Sequence, residues 1–89
     1  MRLDKYLKVS RIIKRRTVAN QACDSGRVMV NSKQAKASYE ISVDDVINVR
    51  FGNNNLTVKV ISLDKHISKD EASNMYLVLS NEDLEVSFN

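Results

Sequence analysis

The chain has 89 residues, 43% of them apolar, with a net charge of +3, one cysteine, one histidine and no proline. That length holds a single compact domain, and the composition argues against disorder, a membrane-spanning helix or an internal disulfide. The charge is uneven: the first 36 residues hold ten of the fourteen Lys and Arg against only Asp4 and Asp24, and the rest carry four cations against nine acids.

In chain order, Leu3, Tyr6 and Leu7 mark one face of a helix over residues 3–9, with Lys5 and Lys8 on the other side. Ser10 to Ile13 reads as a short connection. The spacing predicts a second helix from Arg16 to Ser25 that buries Val18, Ala19, Ala22 and Cys23, with Gly26 as its left-handed stop. From Arg27 the apolar period changes to two: Val28 and Val30 point inward, and Asn31-Ser32 turns the chain into Lys33–Ala35. Asp44-Asp45 starts a strand in which Ile47, Val49 and Phe51 alternate with polar residues. Gly52 to Asn55 is a turn, and Leu56, Val58 and Val60 mark the returning strand. The adjacent Val60-Ile61 suggests a bulge. Ser68 and Glu71 have capping-box spacing before a short helix at 69–75, Tyr76–Leu79 is an edge strand, and 80–89 reads as an acidic tail that frays. The fold class is α+β, a two-helix hairpin packed on a small, mostly antiparallel sheet. There is no internal repeat. With no apolar leader, a cytoplasmic location is expected.

The dense cations of the opening segment are the footprint of a protein that binds a polyanion, most often phosphate. Arginine grips two phosphate oxygens with a planar fork, and lysine acts as a movable point charge. Arg11, Lys14 and Arg15 sit where the connection meets the second helix's N-terminus, which itself favours anions. Lys5, Arg27 and Lys33 extend that surface toward the first hairpin. Contact with some five to seven phosphates implies a log affinity falling with log salt at a slope of about −4 to −6. Folded RNA is preferred over single strands, because Tyr6 is spaced as a core residue and leaves no stacking platform.

Arg2-Leu3-Asp4-Lys5-Tyr6-Leu7, Lys14-Arg15-Arg16-Thr17 with Ala19, Gly26-Arg27-Val28 with Val30-Asn31, and Asp45 with Ile47 together resemble the S4 RNA-binding domain, the alpha-L motif, across residues 1–51. The family uses the positions of Arg2 and Arg16 most consistently against ribosomal RNA, so the resemblance puts these two first. Residues 52–79 complete the same domain. The opening Met-Arg-Leu-Asp-Lys, Gln34-Ala35-Lys36-Ala37-Ser38, Arg50-Phe51-Gly52 and the stretch Glu71 to Tyr76 are similar to the small stand-alone members of bacterial ribosome-associated quality control. These are related to a ribosome-rescue heat-shock protein. What that resemblance implies is binding to ribosomal RNA and peptidyl-tRNA on a stalled large subunit, as a monomer, beside the factor that adds a C-terminal alanine tail. Two positions depart from the family pattern: Asn31-Ser32 replaces Asn-Gly and Asp44-Asp45 replaces Gly-Asp. Each puts a side chain where glycine is favoured, at up to roughly 1 kcal/mol.

No catalytic constellation can be assembled from one His and one Cys, no glycine-rich phosphate loop is present, and no metal or cofactor is expected. Cys23 reads as a core residue, and Asp44-Asp45 as a strand-initiating turn. Two other functions compete. A DNA-binding helix-turn-helix regulator would read bases with Asn20, Gln21 and Asp24. An interaction adaptor would work through its acidic C-terminal part.

Overall fold

The computed structural model describes residues 1–83, and for Asp83 the backbone alone. Two helices open the chain, α1 (Leu3–Val9) and α2 (Arg16–Asp24). Five strands follow: β1 (Val28–Val30), β2 (Lys33–Gln34), β3 (Val46–Phe51), β4 (Asn54–Val60) and β5 (Tyr76–Asp83), the last preceded by a 3₁₀ helix, Lys69–Met75. The strands form one antiparallel sheet in the order β2-β1-β3-β4-β5. Among the described residues no helix is long and apolar enough to cross a membrane.

The period-two pattern sorts the two sheet faces. Val28, Val30, Ile47, Val49, Val58 and Val60 are buried on the inner face. Leu3, Tyr6 and Leu7 of α1, with Ala19 and Cys23 of α2, close the same core from above. Tyr6 is fully buried, and its hydroxyl donates to the Met75 carbonyl at 2.7 Å, which ties the first helix to the chain just before the last strand. Burial holds the Tyr6 phenol far above its ordinary pKa and pushes the Cys23 thiol up to about 12, with the charges of Asp4 and Asp24 adding to the rise. Both are core groups.

The turns follow local chemistry. Asn31 and Ser32 have φ of 51° and 70°, which is the primed geometry whose twist suits a two-residue hairpin. The Asn31 side chain also accepts from Val46 N–H at 3.0 Å and donates to Asp45 at 3.1 Å. Asp44 has φ 76°, and the Asp45 carboxylate accepts from Ser42 N–H at 2.8 Å. The two acids thus build the entry to β3. Helix α2 ends in a Schellman motif: Arg27 N–H donates to Ala22 O at 3.0 Å and Gly26 N–H to Cys23 O at 3.1 Å, with Gly26 at φ 85°.

Five expectations are corrected. Val18 is 47% exposed, because Ala19 and Cys23 already fill the helix's inward stripe. Turn 52–55 closes in two residues, Gly52-Asn53, since Asn54 already pairs with Phe51. Val60-Ile61 is no bulge: Val60 is buried and Ile61 exposed, so alternation continues. The register shift lies instead between Thr57 and Val58 against β5, leaving Leu79 as the extra residue. Ser68 makes no cap to backbone; its hydroxyl donates to Glu71 Oε1 at 3.1 Å, ahead of a 3₁₀ rather than an α-helix. Finally, β5 continues through Ser80–Asp83, because β4 offers backbone partners along its whole length. The rest of the expected tail, 84–89, lies outside the described residues.

Candidate nucleic-acid interface

The N-terminus is anchored before α1 begins. Leu3 N–H donates to Tyr39 O at 2.7 Å and Ile41 N–H to Met1 O at 2.9 Å, and Arg2 bridges Glu40. This fixes Arg2 at the N-cap of α1, while Arg16 opens α2. Twelve residues apart from Arg16 in sequence, Asp4 lies between the two arginines.

Asp4 is buried, its side chain only 3% exposed, yet it stays charged because its partners surround it. Arg2 Nε donates to Oδ1 at 3.1 Å. Arg16 makes a looser fork, Nε to Oδ2 and Nη2 to Oδ1, both at 3.4 Å. Asn20 donates to Oδ2 at 3.2 Å and Lys5 N–H to Oδ1 at 2.8 Å. Burial pushes the Asp4 pKa up, but the hydrogen bonds from Asn20, Arg16 and Arg2, with the Arg16 charge, outweigh it and hold the carboxyl below its ordinary 3.8.

One carboxylate thus holds two guanidinium groups and leaves a positive surplus. Both arginines are nearly half exposed, 46% and 47% by side chain. Arg2 meets Asp4 through Nε and Arg16 through Nε and Nη2, which leaves each fork with further N–H donors for a ligand. A hollow of about 540 Å³ opens there, lined by Arg2, Asp4, Arg16, Thr17, Asn20 and Gln21. Helix α2 begins beside it with no acidic residue in its first turn and no side-chain cap. Its positive end therefore adds to the field rather than being neutralised. The arrangement can hold phosphate oxygens in a fixed, charge-assisted geometry.

The other expected cations are placed less closely. Arg11, Lys14 and Arg15 are exposed on the connection between the helices, with Arg11 in the left-handed region at φ 62°. Lys5 is half-buried on α1. Lys33 lines a separate hollow at the first hairpin with Asn31 and Tyr39. Arg27 stands beyond α2, beside Arg50 rather than Arg16. Charge counting alone leaves Asp4 without a role at this site, and Thr17, Asn20 and Gln21 unmarked as lining residues. The i, i+4 spacing of Arg16 and Asn20 was the available signal, since it sets both on one face. Two of the three candidate base readers of a DNA-binding helix are engaged internally: Asn20 with Asp4, and Asp24 with Ala37 N–H at 3.0 Å.

Comparison with known proteins agrees with this architecture. The S4 domain family matches residues 1–47. An RQC P-site tRNA stabilizing factor of Bacillus subtilis is 51% identical over 84 residues, 94% of this chain and 98% of that one. A protein of the same name from Streptococcus pneumoniae is 52% identical over 80 residues, 90% of this chain and 91% of that one. Heat shock protein 15 of Vibrio cholerae, solved as a trimer, superposes with a TM-score of 0.81 at 28% identity, over 88% of this chain and 80% of that one. The chain belongs to the S4 domain family and, within it, to the RQC P-site tRNA stabilizing factors.

Proposed function

We propose that this chain is an RNA-binding factor of ribosome-associated quality control that acts by binding, without catalysis. It engages ribosomal RNA on a stalled large subunit in the cytoplasm and steadies the tRNA in the P site, the task named for its relatives. The observation that carries this reading is the Asp4 clamp, which presents Arg2 and Arg16 as one outward-facing unit. Arg11, Lys14 and Arg15 extend the contact along the helix connection, and Lys5, Arg27 and Lys33 supply flanking charge. The chain works as a monomer, and its bound subunit still carries peptidyl-tRNA. By holding that tRNA in place, it supports the partner factor that extends the stalled chain with alanine.

Because the clamp positions the arginines before RNA arrives, little side-chain freedom is lost on binding. The contacts are to backbone phosphates and shape rather than to base edges, as suits a folded ribosomal RNA. Sucrose-gradient sedimentation of the tagged protein tests this. The wild-type chain is expected with separated large subunits, and Arg2→Ala and Arg16→Ala are expected at the top of the gradient. Unchanged sedimentation of both variants would refute the proposal.

A further inference from the structure

On the far side of α2 from the Asp4 clamp lies a second arginine pair, with no carboxylate paired to either member among the described residues. The register that sets Val28 against Val49 places Arg27, the residue before β1, opposite Arg50 of β3, and Arg50 N–H donates to Arg27 O at 3.0 Å. Like charges directly opposite one another on a sheet repel. Both are exposed, and neither guanidinium has a hydrogen-bond or ion-pair partner among the described residues. Two unneutralised cations held side by side make a place for an anion.

Beside this pair a cleft of about 240 Å³ is walled by Val18, Gln21, Ala22 and Phe51 together with Arg27 and Arg50. Its volume is below the roughly 300–1,000 Å³ of pockets for drug-sized ligands, which suits a single flat base. Val18 is the apolar residue that α2 turns outward, 47% exposed, and Phe51 is half-buried at the strand end. The fold thus brings an aromatic ring to the basic half that the sequence alone did not place there. Gln21 lines this cleft and also the hollow over Arg2 and Arg16. The two sites are therefore neighbours across the width of one helix, roughly 10 Å, a span that a short run of nucleotides crosses.

We propose that this cleft is a second RNA site that takes one unstacked nucleotide of the bound RNA, its phosphate on Arg27 and Arg50 and its base against Val18 and Phe51. The inference rests on the RNA-binding reading above and adds to it a preference for RNA with an unpaired base, the usual feature by which proteins select one RNA over another. An apolar wall with an aromatic ring and flanking arginines is the chemistry that holds a splayed-out base.

The test is fluorescence anisotropy with the full chain and two synthetic RNA probes, a flush hairpin and the same hairpin with one bulged nucleotide. Wild-type protein is expected to bind the bulged probe more tightly. Val18→Glu, at an exposed helix position, should weaken the bulged probe roughly fivefold or more and leave the flush hairpin within about twofold. Arg50→Gln should also weaken the bulged probe and lower its salt slope by about one. Arg16→Ala should weaken both probes alike. Circular dichroism melts of each variant confirm folding. If Val18→Glu and Arg50→Gln bind the bulged probe as wild type does while Arg16→Ala loses both, the second site is overturned and the first stands. If Arg16→Ala is silent as well, the RNA reading itself fails. Loss of large-subunit sedimentation by Arg50→Gln with both probes still bound normally would mean that the pair meets an acidic protein surface, which also overturns the proposal.

Discussion

Two arginine pairs flank helix α2, and they are built in opposite ways. Arg2 and Arg16 stand at the starts of two successive helices and are drawn together by one buried carboxylate, with bonds of 3.1 and 3.4 Å. Arg27, just before β1, and Arg50 of β3 are brought together by sheet register alone, with no ion pair to either among the described residues. The first pair is oriented before any ligand arrives, and its mutual repulsion is offset within the protein. The second pair has no such internal neutralisation among the described residues. The difference teaches that buried acid in a basic surface is not wasted charge. It converts two flexible side chains into a fixed tool at the expense of one unit of field.

Removing the first pair should have the largest effect. Arg2→Ala with Arg16→Ala is expected to weaken binding to a large-subunit RNA hairpin by roughly two orders of magnitude or more, since each charge-assisted contact contributes about 1.5–3 kcal/mol. Each single variant should lose about half of that free energy. Anisotropy titrations at fixed salt measure it.

Asp4→Asn breaks the comparison in a more discriminating way. It makes the surface more positive, so a purely electrostatic account predicts tighter RNA binding. The clamp account predicts weaker binding, together with a loss of about 1–3 kcal/mol of stability, read by chemical denaturation. Acid should imitate the change. The Asp4 carboxyl lies below its ordinary 3.8 in the folded chain, so as pH falls the unfolded chain takes up the proton first. The stability from its charge is therefore complete above about pH 4 and fades as pH drops through the lower folded value. Denaturation between pH 6 and pH 3 should show a steeper loss in wild type than in Asp4→Asn.

Tyr6→Phe is the control with the smallest expected effect on function. It leaves the Met75 carbonyl without its 2.7 Å partner, at about 1–2 kcal/mol of stability. RNA affinity at a temperature well below unfolding should be unchanged, because Tyr6 is buried in the core and lines neither arginine site. A drop in affinity comparable to that of Arg16→Ala would mean that the clamp depends on core packing more than on Asp4.

Much of this fold is legible in the sequence, because period and turn chemistry agree. The alternation of Ile47, Val49 and Phe51 and the stop at Gly26 fix elements that the structure reproduces, as does the positive-φ turn at Asn31-Ser32. Two of the corrected expectations share a cause. The full length of β5 depends on which backbone groups β4 leaves unpaired, and the outward turn of Val18 depends on how little space Ala19 and Cys23 leave above the sheet. Neither is a local property. The same holds at the interface. Arg2 and Arg16 stand out among ten cations by the family pattern alone, but the acid that joins them belongs to a different helix from Arg16 and shows no periodic signal. The nearness of Arg27 to Arg50 likewise exists only once β1 and β3 are in register.

The most direct test is the salt dependence of RNA affinity, measured side by side for wild type, Arg2→Ala with Arg16→Ala, and Asp4→Asn. Wild type should show a log–log slope of about −4 to −6, and the double variant a slope shallower by about two. Asp4→Asn should bind more weakly than wild type across the whole range despite its extra positive charge. Equal or tighter binding by Asp4→Asn at every salt concentration would contradict the clamp.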